Sequence, residues 1–303
     1  MNAQKTMTTR AWAEMALLSL IWGGSFLSIR LALDEVPVIT AVAHRVFWAT
    51  LVLWGYIALR RLPVPRDPKI WGAFLLMGVL NNVIPFSLMA WGQLYIETGL
   101  TSILNAATAV FGVVVASLLF ADERLTLNRA VGVLLGFFGV ATAIGLENLL
   151  QFDIRSTAQL AVLAGTLSYA FAGAWARKRL HGLSPQVASA GMLTASTLVM
   201  VPMAFMVDGA PDLHLSVTAW GAIGYYAVIA TAFAYLLYYR ILGMAGSGNL
   251  MLCTLLVAPV AIVLGALVLG EALAPRAYLG FALLAAGLLV LDGRILGFLR
   301  KRP

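Results

Sequence analysis

Charge is what this sequence has least of. Only 11% of its 303 residues are Asp, Glu, Lys or Arg, against about 25% in soluble domains. Cysteine is down to Cys253, which lies inside an apolar run, so neither a disulfide framework nor a cysteine-based metal site is available. Histidine occurs three times, at 44, 181 and 214. There is no HExxH and no Walker-type glycine loop, so zinc hydrolysis and nucleotide-driven pumping lack their usual residues. A serine–histidine hydrolase in lipid would need a His at depth facing a Ser, and His44 with Ser25 is the one conceivable pair. Ten-residue strands of alternating polarity, the mark of an outer-membrane barrel, are missing too.

What fills the chain is hydrocarbon. Hydrophobic residues make up 61% and the mean hydropathy is +0.92. Ten apolar runs occur, at 11–33, 38–59, 70–95, 98–121, 127–149, 158–180, 185–207, 217–242, 248–269 and 277–296. Each is close to the roughly 20 residues that cross a bilayer. In lipid a helix satisfies its own backbone polar groups, so the expected fold class is an all-α integral membrane protein of ten transmembrane helices. The breaks between runs hold Pro37, Pro63, Pro65, Gly99, Ser184, Pro185, Pro211, Gly246, Gly248 and Pro275, all turn or breaker residues. MNAQKTMTTR leads into the first run with no small-residue cleavage site, which predicts an uncleaved span.

The net charge of +7 needs no nucleic acid to explain it. With the N-terminus placed in the cytoplasm, sixteen of the twenty Lys and Arg fall on that side. Arg30, Arg155 and Arg276 fall outside, and Arg45 lies within a run. The positive-inside rule therefore favours an even number of spans, a bacterial-type inner membrane, and both termini in the cytoplasm.

The chain contains one stretch twice. Shifted by 148 positions, Glu123, Leu125, Gly132, Leu135, Gly139 and Gly145 fall on Glu271, Leu273, Gly280, Leu283, Gly287 and Gly293. Trp71-Gly72-Ala73 recurs as Trp220-Gly221-Ala222, and Arg30 with Leu33 as Arg177 with Leu180. Two five-helix units, 1–150 and 151–303, follow. Five is odd, so the second unit enters the membrane the other way up. Such an inverted repeat builds many secondary transporters, with substrate held near the midplane.

These residues resemble a known family. Trp22-Gly23-Gly24-Ser25-Phe26, Arg45, Ala258-Pro259-Val260, Gly270-Glu271 and Gly280 are similar to the motifs of the drug/metabolite transporter superfamily, in its ten-helix branch with two EamA-type repeats. The likeness covers nearly the whole chain and is nearest to the amino-acid exporters, aromatic ones included. It implies export of small metabolites through a central cavity. Phe111 stands where the second repeat has Pro259, so the helix-breaking proline is missing from the first.

Candidate binding residues follow from cost. Arg45 sits roughly 10 Å below the outer surface, seven residues into its helix. It reads either as a bidentate clamp for a substrate carboxylate or as a structural group paired with Glu97, Glu35 or helix-end carbonyls. Its neighbour His44 would titrate near neutrality or simply pack. Asn81, Asn82 and Pro85 in run three and Asn105 in run four would offer polar atoms to a zwitterion or bond neighbouring helices. Trp22, Trp91, Tyr169, Trp175, Tyr226, Tyr235 and Tyr239 form an aromatic set. Those near run ends suit an interfacial belt. Trp22, Tyr169 and Tyr226 lie at mid-depth, where a cavity wall or core packing is the choice. Glu123 and Glu271 read as charges favourable to the dipole of the next helix. Gly132, Gly136, Gly280 and Gly287 read as faces for close helix packing.

The chain thus reads as a secondary transporter exporting small amphipathic metabolites, foremost amino acids, by alternating access. Its partners would be that solute and the bilayer, with no cofactor, metal or ATPase subunit, as a monomer or homodimer. An exporter of drugs or other metabolites is the alternative within the class, although cationic drugs would want a buried acid. A membrane enzyme or scaffold acting on lipid is the alternative outside it.

Overall fold

A computed structural model describes residues 8–121, 126–145, 153–180, 182–245 and 252–292. Among them the chain forms ten helices, one of them interrupted, and no strand. These are α1 Thr9–Ala32, α2 Val38–Arg60, α3 Pro68–Gly92, α4 Thr98–Leu119, α5 Leu127–Ile144, α6 Ile154–Arg179, α7 Pro185–Val207, α8 at 217–245, α9 Leu252–Leu269 and α10 Pro275–Asp292. Six of them, α1 to α4, α7 and α8, are long and apolar enough to cross a bilayer by length and composition. The described apolar parts of α5, α9 and α10 are shorter. Helix α6 is long enough but less apolar, because it buries Ser156, Gln159, Thr166 and Ser168 inside the bundle.

The helix starts follow from local chemistry. Side chains of Thr8, Asp67, Thr126, Asp153 and Ser216 accept from amides of the first turn, as N-caps do. Pro68 and Pro185 supply the preset first-turn φ. Outward-facing Leu59, Leu118, Leu127, Leu198, Met206 and Leu267 stay exposed, as a lipid-facing belt requires.

Neighbour relations repeat under a shift of five helices. Helix α1 packs on α8 and α9, as α6 packs on α3 and α4. Helix α2 packs on α8, as α7 packs on α3. The pairs α2–α7, α4–α9 and α5–α10 join each helix to its own counterpart. The last pair is closest. A Cβ on Gly280 would stand 2.5 Å from the Ala143 amide nitrogen and from the Gly139 carbonyl oxygen. One on Gly287 would stand 2.7 Å from the Gly132 carbonyl. The small-residue face expected here lets the two backbones touch.

Two irregularities shape the centre. Both α3 and α8 widen into π-helix, at Val79–Val83 and Tyr225–Phe233, positions that correspond under the 148-residue shift. Such widening frees carbonyls, and each is claimed by a facing helix. Pro85 has no N–H to return to Leu80 five residues back, and the Ser168 hydroxyl donates to that carbonyl at 2.7 Å. In α8 the Trp22 indole donates to the Ala230 carbonyl at 3.2 Å. Helix α4 breaks at Ala106–Ala107, where Ala107 bonds three residues back to Leu104. Residue 107 corresponds to 255, whose carbonyl Pro259 would free. The proline-free repeat therefore breaks at the same level, while α9 runs through Pro259 as one helix.

The two bundle ends differ. At one, carboxylates cap helices of the other repeat. Glu35 accepts from the amide and hydroxyl of Ser216, and Asp208 from the amide and hydroxyl of Thr40 at 2.9 and 2.7 Å. Glu271 accepts from the amide and hydroxyl of Thr98 at 2.9 and 2.7 Å. It serves α4 and not, as expected, the helix that follows it. Glu123 lies outside the described residues. Glu97 pairs with Arg155 at 2.6 Å. The other end gathers Arg10, Arg60, Arg61, Lys69, Arg177, Lys178, Arg179 and Arg240, and is called the basic end below.

Candidate functional site

A cavity of about 520 Å³ lies in the middle of the bundle. Trp22, Ser25, Arg45, Asn81, Asn105, Tyr169 and Tyr235, all singled out in the sequence, line it. Helices α1, α3, α4, α6, α8 and α9 contribute most of the wall, and α2 and α7 join them through Arg45 and Met192.

Among the described residues, Arg45 is the only charged side chain on the wall. Its Nε donates to the Thr231 hydroxyl at 3.0 Å, and its guanidinium lies 3.8 Å over the Phe86 ring, a cation–π contact. Glu97 and Glu35, the carboxylates considered for it, are engaged with Arg155 and Ser216. No carboxylate among the described residues pairs with Arg45. One edge of the guanidinium is thus tethered, and its two Nη groups keep their donors.

The amides divide by direction. Asn81 donates to the Tyr235 hydroxyl at 3.2 Å and to Asn82 Oδ1 at 3.2 Å. Asn82 is fully buried behind that wall, where it donates to Ser196 on α7 at 2.9 Å and accepts from Tyr235 at 3.3 Å. The Asn105 side chain lines the cavity at the α4 break and makes no hydrogen bond with the described residues. Aromatic faces complete the wall, with Trp22 and Tyr238 centroids 5.8 Å apart.

Four residues stand elsewhere. Pro85 packs its backbone against Gly165 of α6. Tyr226 is wholly buried and donates to the Ala41 carbonyl at 3.0 Å. His44 lies off the cavity, edge-on to Trp220, and accepts from the Trp48 indole at 3.2 Å. Asn82 is the fourth. Of the remaining aromatics, Tyr239 is on the wall, Trp91 packs on Tyr95 and Trp175 donates to the Ala73 carbonyl at 3.0 Å.

Gln93 and Thr231 were missed. Gln93 is buried and ties α3 to α1 by donating to the Phe26 carbonyl at 2.9 Å. A lone Gln at a run's end looks like an interfacial residue, and Thr231 looks like any helix threonine bonding its own backbone. Glutamine was rare enough in the runs to have marked Gln93.

Known proteins share this architecture. A solved crystal structure superposes with a TM-score of 0.67 over 98% of this chain and 100% of its own, at 17% identity. A probable terminal-alkyne amino-acid exporter of Streptantibioticus cattleyicolor is 26% identical over 97% of both chains. A probable amino-acid metabolite efflux pump of Escherichia coli is 24% identical over 90% of this chain and 92% of its own. An uncharacterized transporter of Bacillus subtilis is 19% identical over 89% and 92%. Residues 11–145 and 156–291 each match the sequence model of one family. The chain is a multi-pass membrane protein of the EamA-like transporter family, within the drug/metabolite transporter superfamily.

Proposed function

We propose that this transporter exports small amphipathic metabolites bearing a carboxylate, foremost amino acids with aromatic or large apolar side chains, by alternating access about the central cavity. The observation that carries the reading is Arg45, the one charged lining residue among those described, which hydrogen-bonds the described residues through its Nε alone. Two free Nη groups suit a carboxylate bidentately. The amino group of a zwitterion would find the aromatic faces of Trp22 and Tyr235 and the amide oxygens of Asn81 and Asn105. Outward transport of an amino acid or an amino-acid metabolite also appears in the names of two relatives.

The halves 1–150 and 151–303 would lie inverted in an inner membrane, with both termini in the cytoplasm. The five-helix exchange of neighbours supports this, as do five helices per half and the gathering of Lys and Arg at one end. The halves would rock about the cavity in a monomer or homodimer, with no cofactor or ATPase subunit. The described lining carries no acid, which favours facilitated movement down the metabolite gradient over a carboxylate proton relay, and disfavours cationic drugs.

The test is counterflow of labelled threonine, methionine, phenylalanine and tryptophan in liposomes holding only this protein, with and without a pH gradient. Phenylalanine and tryptophan are expected to exchange regardless of the gradient, and with a much higher half-saturating concentration in Arg45→Gln. Absence of counterflow for every amino acid would overturn the substrate class.

A further inference from the structure

A second cavity, of about 390 Å³, lies between α2, α7 and α8 towards the basic end. Its wall includes Tyr56, Gln186, Phe233, Leu236, Tyr239 and Arg240. Tyr239 lines the central cavity as well, so one aromatic side chain stands between the two. From it an aromatic row leads inward: Tyr239 meets Tyr238 edge-on at 5.2 Å, and Tyr238 meets Trp22 at 5.8 Å.

Among the described residues, Arg240 is the only charged one lining this cavity. It repeats the arrangement of Arg45: its Nε donates to Glu14 Oε2 at 2.7 Å, and its Nη groups make no hydrogen bond with the described residues. Repeat packing does not demand this charge. Under the 148-residue shift, Glu14 and Arg240 correspond to Val162 and Gly92, which meet as apolar groups; a Cβ on Gly92 would stand 2.7 Å from Val162 Cγ2. The ion pair therefore belongs to the basic end alone. The Arg240 side chain is 55% exposed, within reach of a solute from water, while Phe233 and Leu236 offer an apolar floor.

We propose that this cavity is a second binding station for the same class of solute, a zwitterion with a carboxylate and an apolar or aromatic body. Its carboxylate is held on the Arg240 Nη edge before the solute passes Tyr239 to Arg45. The proposal rests on the carboxylate-transporter reading above. A guanidinium sheds its hydration more readily than an ammonium and presents a planar fork, and a cation in a cleft concentrates anionic groups there.

Binding stoichiometry tests it separately from transport. Labelled phenylalanine and tryptophan are titrated onto the purified protein in nanodiscs of zwitterionic lipid, with counterflow run in parallel. The parent is expected to bind two equivalents per chain, and Arg240→Gln and Arg45→Gln one each. Glu14→Gln removes the ion pair but not the fork and is expected to keep two. Arg240→Lys keeps the pair with Glu14 but loses the fork, and is expected to weaken the second equivalent by about tenfold, the scale of a charged hydrogen bond. It serves where Arg240→Gln fails to fold. One equivalent in the parent with counterflow intact overturns the second station and leaves the transporter reading standing. A second equivalent that survives both Arg240 substitutions also overturns it. Neither binding nor counterflow overturns the reading on which it rests.

Discussion

Arg45 gives its Nε proton to the Thr231 hydroxyl at 3.0 Å, and Thr231 passes its own to the Tyr226 carbonyl at 2.8 Å, five residues back in the π segment of α8. The widened helix thus sets the threonine that sets the arginine. A side chain with many rotamers is held by one edge, which lowers the entropy cost of presenting the other.

Removing the charge and removing the tether therefore have different sizes. Arg45→Gln loses charged hydrogen bonds of about 1.5–3 kcal/mol, so the half-saturating concentration for phenylalanine counterflow is expected to rise roughly 10- to 100-fold. Thr231→Val removes only the tether and is expected to cost about 1 kcal/mol, a few-fold in the same measurement. Equal losses would mean that Arg45 acts on the fold and not on the solute.

The small-residue contact of α5 and α10 predicts a stability effect with a built-in control. A Cβ at Gly280 meets backbone of α5, which cannot move aside as a side chain would, so Gly280→Ala is expected to cost about 1–3 kcal/mol. Gly55 and Gly221 have nothing within 4 Å of a Cβ. Alanine at either is expected to be neutral or stabilising by up to about 1 kcal/mol, through helix propensity. Melting of the detergent-solubilised variants, followed by circular dichroism, decides it. A stable Gly280→Ala protein would mean that the two helices stand further apart.

This contact was legible in the sequence because glycine spacing records backbone approach directly. So were the helices, since apolar runs and breakers carry their length. The expected run 11–33 is found at Thr9–Ala32, and 185–207 at Pro185–Val207. The π segments were not legible. A change from four- to five-residue bonding leaves no mark in composition, yet it rotates every later side chain. Asn81 and Asn82 show the consequence. Both were candidates, but one faces the cavity and the other faces Ser196 of α7, because successive helical residues point about 100° apart. Thr231 and Gln93 act through partners on other helices, which only the tertiary packing brings close.

Glu35 gives the carboxylate-capped end a pH signature. The Ser216 hydroxyl and then its amide hydrogen-bond the carboxylate, which lowers its pKa below the ordinary 4.5. A carboxyl with a lowered folded-state pKa contributes stability above the unfolded value, and that contribution is lost as pH falls through the folded one. The melting temperature of the parent is expected to drop as pH is lowered past about 4.5. Glu35→Gln is expected to melt lower at neutral pH and to lose less on acidification. Parallel curves for the two would remove Glu35 from the acid response.

The freed π carbonyls supply the last prediction, because the two repeats satisfy them with different side chains. Trp22 covers the Ala230 carbonyl from α1, and Ser168 covers the Leu80 carbonyl from α6. Trp22→Phe keeps an aromatic ring but loses the donor and part of the indole's bulk, while Ser168→Ala loses a hydroxyl and little volume. Each leaves a carbonyl without its partner, at a cost of about 1–3 kcal/mol where no water reaches it. Trp22 borders the cavity, so water or a solute amino group can take the Ala230 carbonyl in its place. The Leu80 carbonyl, capped by a buried Ser168, has no such substitute. Ser168→Ala is therefore expected to lower the melting temperature more than Trp22→Phe, whereas Trp22→Phe is expected to change the apparent affinity for phenylalanine more than Ser168→Ala. Thermal melting and counterflow on the same preparations separate the two. The reverse ranking in both would mean that the α8 carbonyl, and not the α3 one, is the group sealed from water.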